Sequence, residues 1–333
     1  MVTRIGPEQP TIAERFVRLL HVPYLLGCVI WALVLLEIPI LFARFYGSHE
    51  PITNQQILYL IVVFLMSVYF PMSVRFVRNR LLEAEPKITP LLPDGEADYH
   101  GLFGRAVNPR RQIIVIIVIA LMAIYVIIHT SSFVGRVINS VCSIYIAVML
   151  GSLIWFNIGC VTGLYRLGGK SLKFRSFWEG PKLGTRPIGS LCLSLSAAYF
   201  VGVILLILFS VTSPNELYQI PYIRVIYGVF ILGGLTMFFL PLYRVHLRMA
   251  EEKARQELQV QRQFDMASNI PKSNEKQILS DNIQKLMALE MVDRKIQAIS
   301  TWPFDTGLLT RLLIILLPVI ASLFAHYLTD LLR

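Results

Sequence analysis

Charge is what this sequence has least of. Only 16% of its 333 residues are Asp, Glu, Lys or Arg, against roughly a quarter in an average soluble domain. A chain with so few charges cannot cover an ordinary water-facing surface. Cysteine is scarce too. Cys28, Cys142, Cys160 and Cys192 all fall inside apolar runs, with no CxxC pair and no histidine nearby, which argues against a disulfide framework or a thiolate metal site and for small buried hydrophobes. HExxH, GxSxG and a paired intramembrane aspartate are absent, which removes the usual grounds for a metalloprotease, a serine hydrolase or an intramembrane protease. Gly168-Gly169-Lys170-Ser171 fails as a phosphate loop, because the required glycine position holds Leu164 and Gly163 is one residue off. The expectation is therefore a protein that is not an enzyme and uses no cofactor and no metal.

What the sequence does have is apolar length. Hydrophobic residues make up 55% of the chain, clustered into runs of about 20 residues, enough to cross a hydrocarbon core about 30 Å thick. Seven such runs lie near 23–43, 56–76, 112–130, 137–163, 188–211, 222–243 and 307–328. Short alternating segments of the kind that build a membrane β-barrel are not seen. The expected fold is all-α, a polytopic seven-transmembrane helical bundle. The first run is too long for the core of a signal peptide and lacks a small-x-small cleavage site, so it reads as a retained anchor.

The basic residues set the orientation. Twenty-seven of the 31 Lys and Arg residues lie in the N-terminal arm, in the connections between runs two and three, four and five, and six and seven, or at Arg311 just inside the last run. Only Arg44, Arg136, Arg224 and Arg333 lie on the other side. This bias places the N-terminus and the large loops in the cytoplasm and the C-terminus outside, in a cell (inner or plasma) membrane. The net charge of +10 is thereby assigned to topology and to the lipid bilayer rather than to nucleic acid. The chain divides into a cytoplasmic arm (1–22), six spans (23–243), a cytoplasmic helical hairpin (244–301) and a hinge with the seventh span (302–333).

The cytoplasmic connections differ in character. Residues 81–111, rich in Pro, Gly and acidic side chains, read as irregular and mobile. Residues 164–187 mix basic residues with Phe174, Phe177 and Trp178, suited to the headgroup level. From Arg244 the chain consists of good helix formers that continue the sixth span into the cytosol, with Glu251 and Arg255 at a supportive i,i+4 spacing. Pro271 breaks that helix. A second helix then runs to about Ser300 and carries an apolar stripe: Leu279, Ile283, Leu286, Leu289, Val292, Ile296 and Ile299. The stripe must bury itself against its hairpin partner, another subunit or the membrane surface. Trp302, Pro303, Phe304 and Asp305 then form a hinge at the water–lipid boundary, with Asp305 or Thr306 capping the final span.

Few polar groups enter the apolar runs. Glu37 is the only carboxylate well inside one, where it either serves a cation- or proton-handling site or pairs with Arg44 near the helix end. Arg311, Ser322, His326 and Thr329 are the polar groups available along the seventh span. Ser190, Ser194, Ala198 and Gly202 at four-residue steps, and Gly159 with Gly163, mark faces where helices approach closely.

The tail WPFDTGLLTRLLIILLPVI resembles the C-terminal end of uncharacterised prokaryotic multi-pass membrane proteins, a likeness over about 20 residues that implies no activity. Across the whole chain, seven helices with the N-terminus inside and the C-terminus outside, a cytosolic extension of the sixth, and a last helix that is one element in two halves, cytosolic and then spanning, are similar to the insect odorant and gustatory receptor fold. That resemblance implies a homo-oligomer of four subunits, a cytosolic helical anchor and a cation path lined by the seventh helices. The Thr-Tyr…Gln-Phe signature of that family's last helix is missing here, so no site residue carries over. The expectation is an oligomeric ion-conducting or ligand-responsive channel. The alternatives are a secondary transporter coupled through Glu37, or a non-conducting scaffold or signalling subunit whose hairpin docks a cytosolic protein partner.

Overall fold

A computed structural model of the chain describes residues 9–45, 53–130, 133–174, 184–212, 221–268, 276–303 and 306–331. The described residues form helices and connections, with no strand among them. In order the helices are α1 (Ile12–Arg18), α2 (Tyr24–Phe45), α3 (Asn54–Ile88), α4 (Glu96–Phe103), α5 (Pro109–Thr130), α6 (Phe133–Leu167), α7 (Arg186–Thr212), α8 (Pro221–Ser268), α9 (Lys276–Gln297) and α10 (Thr306–Leu331), with a 3-10 turn at Thr89–Leu91. Each of the seven apolar runs falls within one helix: α2, α3, α5, α6, α7, α8 or α10. Among the described residues α3, α6, α7 and α8 are long and apolar enough to cross a membrane, and α2 and α10 contribute the shorter apolar stretches Tyr24–Glu37 and Gly307–Pro318. Large apolar side chains such as Leu25, Ile57, Leu65, Ile114, Leu121 and Val229 stand exposed on the outside of the bundle. Water would penalise that surface at about 25 cal/mol per Å², whereas lipid does not.

Close helix approach is built from small residues. A Cβ on Gly159 would come within 2.4 Å of the Ala106 Cα, and one on Gly163 within 2.7 Å of the Phe103 ring. The small face of α6 therefore seats the segment between α4 and α5, with α5 alongside it at Gly151 and Ile116. Pro71 lies inside α3 and has no N–H to give the Ser67 carbonyl. The Tyr145 hydroxyl of α6 donates to that carbonyl at 3.0 Å, and the Tyr24 hydroxyl of α2 donates to Pro71 O at 2.8 Å. A break in one helix thus becomes a junction of three.

The basic-rich connections gather at one end of the bundle, where the structure departs from the sequence expectation. Residues 81–111 are not irregular. Helix α3 continues to Ile88, and the 3-10 turn and α4 follow. Leu81, Ile88, Leu91, Leu92, Tyr99 and Phe103 are buried in one cluster with Leu164, Leu167, Val245 and Met249. The Tyr99 hydroxyl donates to Leu81 O at 2.7 Å. Burial, with the Glu85 carboxylate nearby, pushes that phenol above its ordinary range, so it remains a donor. Gly95, at φ +55°, supplies the left-handed residue that turns the chain into α4. The glycine turn after α6 laces onto this cap: Lys173 N–H donates to Leu91 O at 2.8 Å, and the Lys170 ammonium pairs with Asp98.

The N-terminal arm docks at the same end. Thr11 and Glu14 form a reciprocal capping box at the start of α1. The Glu14 carboxylate, fully buried, also accepts from Arg78 Nε of α3 at 3.0 Å. Phe16 packs on Trp31 and Tyr145, with Val17 buried beneath. Ile12 N–H donates to the side-chain Oε1 of Gln112 on α5 at 3.4 Å.

Helix α8 runs unbroken for 48 residues, about 72 Å at 1.5 Å per residue. It packs on α6 and α7 and also on α9, and Pro241 lies buried near its midpoint.

Candidate functional site

The sequence-derived site residues do not converge on one point. Glu37 sits on an exposed flank of α2, and no cavity described here includes it; the Arg44 side chain, its proposed partner, lies outside the described residues. On α10, Leu308, Leu312 and Leu316 are buried at four-residue steps and the helix leans chiefly on α7. Arg311, Leu313, Ile314, Leu317 and Ile320 face away from the bundle. The backbone of α10 carries Ser322, His326 and Thr329, whose side chains lie outside the described residues. Cys28, Cys160 and Cys192 are buried free thiols, and Cys142 lies outside the described side chains. No group of three or more His, Cys, Asp or Glu residues placed to hold a metal ion occurs among the described residues.

The hinge is more closely organised than its sequence suggests. Helix α9 ends at Gln297 and α10 begins at Thr306, so these are two helices joined by a turn rather than one element in two halves. The Trp302 indole stacks on the His246 imidazole of α8 at 4.0 Å and 11°. The His246 Nδ1 lies 2.8 Å from Thr301 O, and since a carbonyl only accepts, Nδ1 carries the proton. The Lys253 ammonium donates to Gln297 O and Ile299 O at 2.9 and 3.2 Å, closing the end of α9, where cations are favoured. Pro303 is buried, and its carbonyl would lie 2.6 Å from a Cβ on Gly189. Only glycine at the start of α7 admits the turn this closely. Phe304 and Asp305 lie outside the described residues.

The hairpin covers the C-terminal part of its stripe. Ile296 and Ile299 are buried against Val260 of α8, with Leu289, Val292, Phe264 and Phe174 packed around them. Leu286 is half-buried, and the side chains of Leu279 and Ile283 lie outside the described residues. Glu251 and Arg255 do not pair with each other as their spacing suggested. Glu251 pairs with Arg248, and Arg255 with Glu252. A different set of apolar groups stays open on the hairpin: Leu258 and Met266 on α8, Met287 and Met291 on α9, each more than half exposed.

Two basic recesses flank this end of the bundle. An open cleft of about 530 Å³ is lined by Asp98, Arg166, Gly169, Lys170 and Arg244. Two of its cations are engaged: Lys170 pairs with Asp98, and Arg244 lies 4.1 Å above the Tyr165 ring. The hydrogen bond from Lys170 holds the Asp98 carboxyl below its ordinary range. A smaller cavity of about 280 Å³ lies between α3 and α7, lined by Arg80, Glu83, Ala84, Lys87, Arg186, Ser190 and Ser194, among others. Counting these charges for orientation alone did not reveal that α3 and α7 bring them together. The four-residue step of Ser190 and Ser194 was the available signal. No protein-family model matches the chain, nor does any curated protein or solved structure.

Proposed function

We propose that the chain is a seven-span membrane protein, N-terminus in the cytoplasm and C-terminus outside, that self-assembles through its cytosolic hairpin into a channel whose path is bordered by α10. One observation carries this assignment. The hairpin, which stands in water, packs Leu289, Val292, Ile296 and Ile299 of its predicted stripe within the chain and still exposes Leu258, Met266, Met287 and Met291. Exposed apolar groups of this kind mark a contact surface, and a second copy of the chain is the occupant that also accounts for α10. That helix uses one face against α7 and leaves the face bearing Arg311, Ile314 and Leu317 open, as a shared path lined by the last helix of each subunit requires. An apolar lining of this type gates by dewetting.

Joining the basic-rich connections at one end, through Glu14–Arg78, Asp98–Lys170 and Arg248 with Gly169 O, supports a single cytoplasmic face. Coupled transport through Glu37 has less support, because that carboxylate faces outward from the bundle.

Native mass spectrometry of the detergent-solubilised protein, with and without Met287→Ser and Met291→Ser, tests the assignment. A defined oligomer in the wild type that dissociates in the variant, together with wild-type currents in planar bilayers, is the expected result. A monomer in both samples, or an oligomer that conducts nothing, would overturn it.

A further inference from the structure

The cavity between α3 and α7 differs from the Asp98 cleft in what its cations lack. Arg80 is held by Glu83 at 2.9 Å, with both side chains exposed. Lys87 and Arg186 have no ion-pair partner among the described residues, so three cations face one carboxylate across about 280 Å³. Arg80, Ala84 and Lys87 recur at helical steps on one face of α3; Arg186, Ser190 and Ser194 do the same on α7. The Ser194 hydroxyl donates to Ser190 O at 3.0 Å, while Ser190 itself is exposed at the mouth. Ala84, Pro187 and Leu191 supply an apolar wall.

The level of the cavity matters as much as its charge. The apolar run of α3 ends near residue 76, so Arg80 and Lys87 stand one to three turns beyond it. On α7 the apolar run starts at 188, so Ser190 and Ser194 lie inside it and Arg186 just outside. The recess therefore has a charged roof at the water side and a serine-and-leucine flank at the lipid side. We infer that it binds the phosphodiester headgroup of an anionic phospholipid. Lys87 and Arg186 meet the phosphate oxygens, the Ser190 hydroxyl donates a further hydrogen bond, and the acyl chains leave along the α3–α7 groove past Leu191. The volume, roughly nine waters at about 30 Å³ each, accommodates a phosphate with its glycerol. A charge-assisted pair of this type favours a phosphate over a zwitterionic choline headgroup, whose own cation would meet Arg80 and Arg186.

The test is a titration of the full-length protein in detergent with phosphatidylglycerol or phosphatidylcholine, read by native mass spectrometry, in the wild type and in Lys87→Gln/Arg186→Gln. One saturable phosphatidylglycerol adduct is expected, weakened roughly thirtyfold in the double variant at about fivefold per cation near a membrane surface. Ser190→Phe, which fills the mouth and leaves every charge in place, should weaken it as well. Arg110→Gln/Arg111→Gln, which removes two exposed cations elsewhere on the same side, should not. Equal retention by wild type and double variant would overturn the assignment, as would an equal loss in the Arg110/Arg111 control. A parallel arm adds sn-glycerol 3-phosphate without lipid. Saturable binding there, with no preference for the lipid, would reassign the cavity to soluble phosphates and refute the headgroup.

Discussion

Removing Arg78 should free the N-terminal arm. Glu14 is fully buried and accepts three hydrogen bonds: from Thr11 N–H at 2.9 Å, from the Thr11 hydroxyl at 3.2 Å and from Arg78 Nε at 3.0 Å. In Arg78→Ala the carboxylate loses its only cation among those contacts but stays enclosed. Leaving one member of a buried pair uncompensated costs about 3–5 kcal/mol. The cheapest relief is local: α1 has only seven residues, and undocking it returns Glu14 to water without disturbing the spans. At 1.4 kcal/mol per decade, the undocked fraction should rise by roughly two to three and a half orders of magnitude. Limited trypsinolysis reads this directly, because Arg15 and Arg18 lie on α1 and cleavage of an opened segment tracks its population when opening is fast. Cleavage at those sites should accelerate by that factor in Arg78→Ala. It should return close to the wild-type rate in Glu14→Gln/Arg78→Met, where no charge remains buried. If Arg78→Ala is cut within threefold of the wild-type rate, the pair does not anchor the arm.

Gly189→Val should loosen the α9–α10 turn. Its Cβ would meet the Pro303 carbonyl at 2.6 Å, and a backbone atom cannot swing away, so an overpacking cost of about 1–3 kcal/mol is expected. Thermal unfolding in detergent should fall accordingly, with faster amide exchange across 298–302; unchanged melting and exchange would refute the close contact. Acid should weaken the 89–103 cap through Asp98. Its folded-state carboxyl titrates below the ordinary 3.8, so its contribution is complete above that value and is lost as pH falls below 3.8 through the folded-state value. Hydrogen exchange at the Asp98–Lys170 contact should rise over that window in the wild type, while Asp98→Asn should show the faster exchange already at neutral pH.

What the sequence made legible, and what it hid, follow from the range over which each feature is encoded. The seven apolar runs are local, and each lies inside a helix. The α9 stripe is local as well, and Leu289, Val292, Ile296 and Ile299 do form its buried side. Its cover was not legible, because α8 offers only Val260 and Phe264 in a stretch of mostly polar residues. Residues 81–111 read as a loop in the sequence because Pro86, Pro90, Pro93 and Gly95 look like loop punctuation. In the structure Pro86 sits in the last turn of α3, where a missing N–H frees a carbonyl only near the helix end. The buried residues from Leu81 to Phe103 come from three short elements and so show no single period. The hinge announced itself as Trp-Pro-Phe-Asp, yet its receptors, His246 and Gly189, are distant in sequence and chemically ordinary. The recess between α3 and α7 is likewise a product of helix pairing, visible only once the two faces meet.

The length of α8 has a mechanical consequence. Pro221–Leu240 and Leu242–Ser268 are arms of 20 and 27 residues on either side of Pro241, about 30 and 40 Å long. Pro241 is buried within the bundle, and Leu242, Val245 and Met249 beyond it pack in the same core, so the helix is gripped on both sides of that point. Because the helix is continuous, a shift of one arm along its axis is passed to the other with no residue in between changing its conformation. The contacts of α8 with α9 and its contacts with α7 thus move as parts of one rod.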